Sequence, residues 1–149
     1  MSDSPDLVAH LQAVDLFASL SKRDLKQVSA MGRRVEHAPG HEVVAEGGGS
    51  AGFHLILTGE ALVDVSGAAR PSLGPGQYFG EISLLDGKPR TASVTAGPDG
   101  LVTHSITSWQ FSGLLEKHPE LVMPIITVLC ARLRAAEASA TQAQSAAVS

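Results

Sequence analysis

Residues 79 to 94 read Phe-Gly-Glu-Ile-Ser-Leu-Leu-Asp-Gly-Lys-Pro-Arg-Thr-Ala-Ser-Val. A glycine and a carboxylate, Gly80 and Glu81, stand at the head of a short apolar turn. Arg90 follows in a loop, and the small residues Thr91, Ala92 and Ser93 lead into a strand. The first N–H groups of a helical turn lack acceptors within the helix; with a guanidinium beside them they suit one phosphate. A carboxylate would repel that phosphate, so Glu81 fits better as an acceptor for a sugar hydroxyl. One phosphate and one sugar hydroxyl point to a nucleotide that carries few charges.

The flanking sequence sets this stretch in a β-rich frame. Turn signals recur at Pro39-Gly40, Gly47-Gly48-Gly49, Thr58-Gly59, Ser66-Gly67, Gly74-Pro75-Gly76, Asp86-Gly87 and Gly97-Pro98-Asp99-Gly100. Short runs such as Phe53 to Leu57 and Ala61 to Val65 lie between them. Many short strands at roughly ten-residue spacing predict a sandwich or jelly-roll barrel over about 35–106. The 79–94 stretch interrupts that rhythm, and an interruption in a regular β array is where a site is expected.

Helices are predicted on both sides. Leu7, Leu11 and Val14, then Leu25, Val28 and Met31, recur at helical spacing, with Ser21 as an N-cap and Asp24 three residues on. After the barrel, Thr107 or Ser108 caps a helix carrying Phe111, Leu114 and Leu115, which His118-Pro119 breaks. A second helix follows with Leu121, Val122, Ile125, Ile126, Leu129 and Leu133 as its apolar stripe. Pro124 either sits in its first turn or kinks it. Cys130 falls in the stripe and reads as a buried structural thiol rather than a nucleophile. Residues 1–134 form one domain, and the Ala/Ser/Gln-rich tail 135–149 is a helix extension or disordered.

Composition limits the function classes. The 149 residues fit one domain with a sizeable core. Eleven basic against fifteen acidic side chains, net −4, argue against a nucleic-acid surface, which needs a basic stripe. The longest apolar run, Leu121 to Cys130, contains Pro124 and Thr127 and is too short to span a membrane. An acidic start with no apolar signal region and a single cysteine point to the cytoplasm.

The pattern Phe79-Gly80-Glu81, Ile82-Ser83-Leu84-Leu85, Pro89-Arg90-Thr91-Ala92-Ser93-Val94 resembles the phosphate-binding cassette of cyclic nucleotide-binding domains. These domains are of the catabolite-activator and protein-kinase-A-regulatory-subunit type. The likeness extends more loosely over about residues 14–134, where Asp15-Leu16-Phe17 resembles the family's N-terminal helical motif. It implies a mainly β fold with flanking helices: a β jelly-roll barrel, an N-terminal helical motif and two C-terminal helices of the B/C type.

The resemblance also assigns roles. Arg90 binds the cyclic phosphate as a planar fork, with surface pairing to Asp86 as the plain alternative. Glu81 accepts the ribose 2′-hydroxyl, Gly80 allows close backbone approach, and Ile82, Ser83, Thr91 and Ala92 offer main-chain N–H groups. Val63 and Leu73 wall the base, although by pattern alone they are ordinary core residues. A lid over the base is expected from the last helix, where Arg132, Arg134 and Glu137 are the polar candidates and Arg134 completes the expected site. Thr91 can also meet a guanine amino group, but family members that prefer cAMP carry Arg-Thr-Ala too. The triple glycine at 47–49 replaces a more usual acidic residue and loosens the barrel edge.

Three readings follow. The first is a stand-alone sensor of cAMP, or secondarily cGMP, whose C-terminal helices shift about a hinge near Pro119. It has no cofactor and no metal, and an unidentified protein partner; nothing past residue 134 resembles a DNA-binding domain. The second is a degenerate jelly-roll module that oligomerises without ligand, against which the intact Gly80, Glu81 and Arg90 speak. The stripe with Ile125, Ile126 and Leu129 can pair two copies as a homodimer or pack on its own barrel. The third is a metal-dependent barrel enzyme. His10, His37, His41, His54, His104 and His118 are scattered, and the one close pair, His37 and His41, is split by Pro39-Gly40. That spacing does not suggest a three-ligand metal site, so a binding protein rather than an enzyme is expected.

Overall fold

A computed structural model describes residues 5–44, 52–86, 88 and 92–148. Helices α1 (Pro5–Gln12) and α2 (Lys22–Ala30) flank a 3-10 turn at Asp15–Phe17. Six strands follow: β1 (Arg33–His37), β2 (Glu42–Val44), β3 (Gly52–Val65), β4 (Ala68–Leu73), β5 (Tyr78–Phe79) and β6 (Ser93–Thr107). The short helix α3 (Glu81–Asp86) lies between β5 and β6. Then come α4 (Ser108–Lys117), a 3-10 turn at Pro119–Leu121, and α5 (Val122–Val148).

All pairings are antiparallel, in the order β1-β6-β3-β4, with β2 added to β6 and β5 to β3. β3 and β6 form the spine, paired from Gly52↔Thr107 to Asp64↔Ser93. Each serves both halves of the barrel: β1 pairs with the late part of β6 and β2 with its beginning.

This spine corrects two expected turns. Thr58-Gly59 and Gly97-Pro98-Asp99-Gly100 do not separate strands; they lie inside β3 and β6, so the runs 53–57 and 61–65 are one strand. The glycines bend the pair instead. Gly59 (φ +91°) and Gly100 (φ +83°) adopt the left-handed backbone, and the register shifts between Gly59 and Ala61. A Cβ on Gly59 would sit 2.3 Å from the Gly100 carbonyl oxygen, so only glycine permits this approach. Ser66 and Gly67, both at positive φ, do form the tight β3–β4 turn.

Two apolar clusters result. The larger joins the helices to one end of the barrel through Leu11, Phe17, Leu25, Phe53, Leu84, Phe111, Leu121 and Ile125. Phe17 is fully buried, 5.7 Å from the Phe53 ring in a T-shaped contact and 5.9 Å from Phe111. The smaller, inside the barrel, holds Ile56, Ala61, Phe79, Val94, Ala96 and Leu101.

Local signals place the helices. The Ser21 hydroxyl accepts from the Asp24 N–H at 3.1 Å. At α4, Thr107 Oγ1 accepts from the Gln110 N–H (3.0 Å) while Gln110 Oε1 accepts from the Thr107 N–H (2.9 Å), a reciprocal cap. His118 ends α4 and Pro119 opens the 3-10 turn, where a missing N–H costs nothing. Pro124 falls in the first turn of α5 for the same reason. The tail expected as extension or disorder is helical to Val148.

The stripe on α5 is buried on one side only. Leu121 and Ile125 are enclosed, whereas Ile126 and Leu133 are exposed, and so is Cys130, which is therefore not the buried thiol expected. No described helix is long and apolar enough to cross a membrane.

Candidate functional site

The chain leaves β5 at Phe79 and turns through Gly80 at φ +86°, a left-handed backbone that L side chains rarely adopt. The Gly80 carbonyl accepts from the Leu84 N–H at 3.1 Å, starting α3. The opening N–H groups of that helix have no acceptor within it. Leu84 is fully buried in the larger core and Leu85 packs against it, so α3 is seated from below. Ser83 is buried and Ile82 is 47% exposed. Asp86 Oδ1 accepts from the Lys88 N–H at 2.9 Å, turning the chain out of the helix.

A cavity of about 510 Å³ opens between this turn and the barrel. Its apolar wall is Val63, Leu73, Phe79 and Val94; its rim is Gly80 to Ser83, Asp86, Lys88 and Ala92. Register explains the convergence. Val63 of β3 pairs with Val94 of β6 on one side and Arg70 of β4 on the other, while Ala61 pairs with Leu73. Seven expected site residues thus share one cavity: Val63, Leu73, Gly80, Glu81, Ile82, Ser83 and Ala92. Arg90 and Thr91 lie outside the described residues, as does the triple glycine at 47–49. Arg134 stands exposed on α5, away from the cavity wall.

Another arginine of α5 meets the cassette. Arg132 Nε donates to Asp15 Oδ2 at 2.9 Å, and Arg132 Nη1 lies 3.5 Å from Glu81 Oε1. Partial burial disfavours the charged guanidinium, but the Asp15 hydrogen bond and the Glu81 and Asp15 charges outweigh it and raise its pKa above the ordinary value.

Behind Phe79 sits a cluster that the sequence did not reveal. The His54 ring stacks on Phe79 at 4.8 Å. His54 Nδ1 lies 2.8 Å from Ser105 Oγ, which is 3.0 Å from Thr103 Oγ1, and His37 Nε2 reaches Thr103 Oγ1 at 3.3 Å. His41 stacks on His37. Burial lowers the His37 pKa, and the neighbouring His41 lowers it further. Alternation along three strands aims these side chains to one side, a fact only the pairing exposes. Among the described residues no group of three or more His, Cys, Asp or Glu could hold a metal ion. A slightly larger hollow, about 560 Å³, runs along α4 beside Trp109. Apart from Met31 it is lined from that one helix, without the converging strands and helix start of the cassette cavity.

Comparison with known proteins agrees with this geometry. A family model described as "Cyclic nucleotide-binding domain" matches residues 34–118. The cAMP-dependent protein kinase regulatory subunit of Aspergillus niger is 36% identical over 93 residues, 61% of this chain but 23% of its own length. A cGMP-dependent protein kinase of Toxoplasma gondii is 31% identical over 93 residues, 62% of this chain and 9% of that one. The chain thus spans under a quarter of each of these relatives. In fold it is similar to the N-terminal domain of a transcriptional regulator from Streptomyces coelicolor A3(2), with TM-score 0.80 and 24% identity over 87% of this chain and 93% of that one. Because the family match takes in more than half of the sequence, the chain belongs to the cyclic nucleotide-binding domain family.

Proposed function

We propose that the chain is a regulatory module that binds cAMP in preference to cGMP in the cassette cavity and passes occupancy to α4 and α5. The observation that carries this reading is the convergence of the base-side wall, Val63 and Leu73, with the Gly80–Ser83 turn on one cavity. In this reading Arg90 and the N–H groups of Ile82, Ser83, Thr91 and Ala92 hold the phosphate, and Glu81 accepts the ribose 2′-hydroxyl. Arg134 caps the base only once α5 swings toward the cavity. The preference for cAMP draws support from relatives named as cAMP-dependent kinase regulatory subunits, such as those of Aspergillus niger and Yarrowia lipolytica.

The route to the helices is mechanical. Leu84 of α3 shares its core cluster with Phe111 and Leu114 of α4, Leu121 of the 3-10 turn and Ile125 of α5. A cassette that closes on ligand drags Leu84, and α5 turns about the break at His118-Pro119. Nucleotide drives this only by binding the closed state more tightly than the open one. The output is an interaction with a protein partner that reads the position of α5. A second copy is one such partner, favoured by the exposed Met123, Ile126 and Leu133 on that helix.

A thermal-melt titration with cAMP and cGMP, on the natural protein and on Arg90→Ala, tests the reading. Ligand at a hundred times its dissociation constant stabilises by about 2.7 kcal/mol, a rise of several degrees for a domain of this size. A rise with cAMP that Arg90→Ala abolishes is expected. A cooperatively melting protein that responds to neither nucleotide leaves only a jelly-roll interaction module.

A further inference from the structure

Charge is unevenly placed around the cassette cavity. Its described lining carries two carboxylates, Glu81 and Asp86, against one cation, Lys88. The chain as a whole is acidic, with a net charge of −4. An anion arriving from solution therefore meets its own sign at every described charge of the lining but one. Asp86 Oδ1 accepts from the Lys88 N–H at 2.9 Å, a bond that keeps the carboxylate on the turn and starts the lysine from the rim itself. Lys88 is exposed, and among the described residues no ion pair engages its ammonium. Exposure suits a charge that acts at a distance rather than by contact. An ammonium on a flexible four-carbon stem is strongly hydrated and holds a ligand weakly. Its field, however, reaches about 8 Å at physiological ionic strength, which is comparable with the width of a cavity of about 510 Å³.

We propose that Lys88 sets how fast an anionic nucleotide enters the cavity, by offsetting the Glu81 and Asp86 carboxylates at its mouth. The inference rests on the nucleotide-binding reading above. It divides the work between two cations that lie two positions apart in sequence. Arg90, in that reading, holds the phosphate and governs how long the ligand stays; Lys88 governs its arrival. A charge at the edge of a binding surface alters the association rate and its salt dependence, whereas a desolvated, hydrogen-bonded one alters dissociation.

Stopped-flow fluorescence with a base-labelled cAMP gives the association rate constant, and a chase with unlabelled cAMP gives the dissociation rate constant. The chains compared are the natural one, Lys88→Gln, Lys88→Glu and Lys117→Gln. The last makes the same change in net charge on α4, away from the cassette cavity. At low ionic strength Lys88→Gln is expected to slow association about threefold and Lys88→Glu about tenfold, with dissociation within about twofold of the natural chain. Salt near 1 M, where the screening length falls to about 3 Å, is expected to erase those differences. Lys117→Gln is expected to leave association within about twofold at all salt concentrations. Unchanged association in Lys88→Glu, or a loss matched by Lys117→Gln, overturns the role of Lys88. A change confined to dissociation overturns it too, and makes Lys88 a contact residue. Each of these outcomes leaves the binding reading intact, whereas failure of the natural chain to bind the labelled and the unlabelled nucleotide overturns both.

Discussion

The two apolar clusters differ in what they leave open. On the helix side, the Phe17 ring meets those of Phe53 and Phe111, and the cluster from Leu7 to Ile125 is built from leucine, isoleucine, valine and phenylalanine side chains. Inside the barrel the cluster is smaller, includes Ala61 and Ala96, and adjoins a cavity of about 510 Å³ bounded by Phe79 and Val94. A close-packed interior holds a fold together, whereas a deliberately short one leaves room for a guest. In the proposed reading stability and binding therefore reside in different places, joined at α3, where Leu84 belongs to the first cluster and Ser83 to the rim of the cavity.

Substitutions separate the two. Phe17→Ala removes the ring at the centre of the first cluster and should cost about 3–5 kcal/mol, seen as a drop in denaturant midpoint at unchanged slope. Val63→Phe, on the cavity wall, should leave stability within about 1.5 kcal/mol because the hollow accepts the extra volume, yet weaken cAMP binding by about tenfold or more. Equal destabilisation by the two changes would break the comparison. The smallest effect is on acid stability. Burial lowers the pKa of His104, whose Nε2 donates to the Met31 carbonyl at 2.8 Å, and of His37. Both groups take up a proton less readily in the folded chain than in the unfolded one. Their contribution is complete above the unfolded value near 6.5 and is lost as pH falls from there through the lower folded values. Melting temperature should decline over that window, and His104→Gln should flatten the decline.

Much of this was legible in the chain because it depends on near neighbours. Ser21 and Asp24, Thr107, and the His118-Pro119 break are local chemistry, and the order from Phe79 to Val94 specified the cassette turn with Gly80 at its head. What escaped depends on pairing. Gly97 to Gly100 carry the residues of a turn, but Ala96 and Leu101 on either side pair with Ala61 and Gly59 of β3, which makes them a bulge within one strand. Arg132 and Arg134 look equivalent in sequence. Two positions apart on a helix, however, they point about 200° from each other, and only the placement of α5 decides which meets Glu81. Cys130 belongs to a helical stripe, but just one side of that stripe touches the body. The histidine cluster draws on β1 and β3 and the segment between β1 and β2, united only by topology.

The β3–β6 spine has a kinetic consequence. Everything that forms the cassette lies between its two strands in sequence, so the site is the loop of one long hairpin whose stem joins Gly52 to Thr107. Closing such a stem joins residues far apart in sequence at both its near end, Asp64 with Ser93, and its far end, Gly52 with Thr107, and non-local pairing of this kind slows folding. Once the stem is closed, Val63 and Val94 are clasped side by side at the mouth of the loop. The cavity thus depends on non-local contacts, and a lesion that delays the spine is expected to delay the appearance of the cavity.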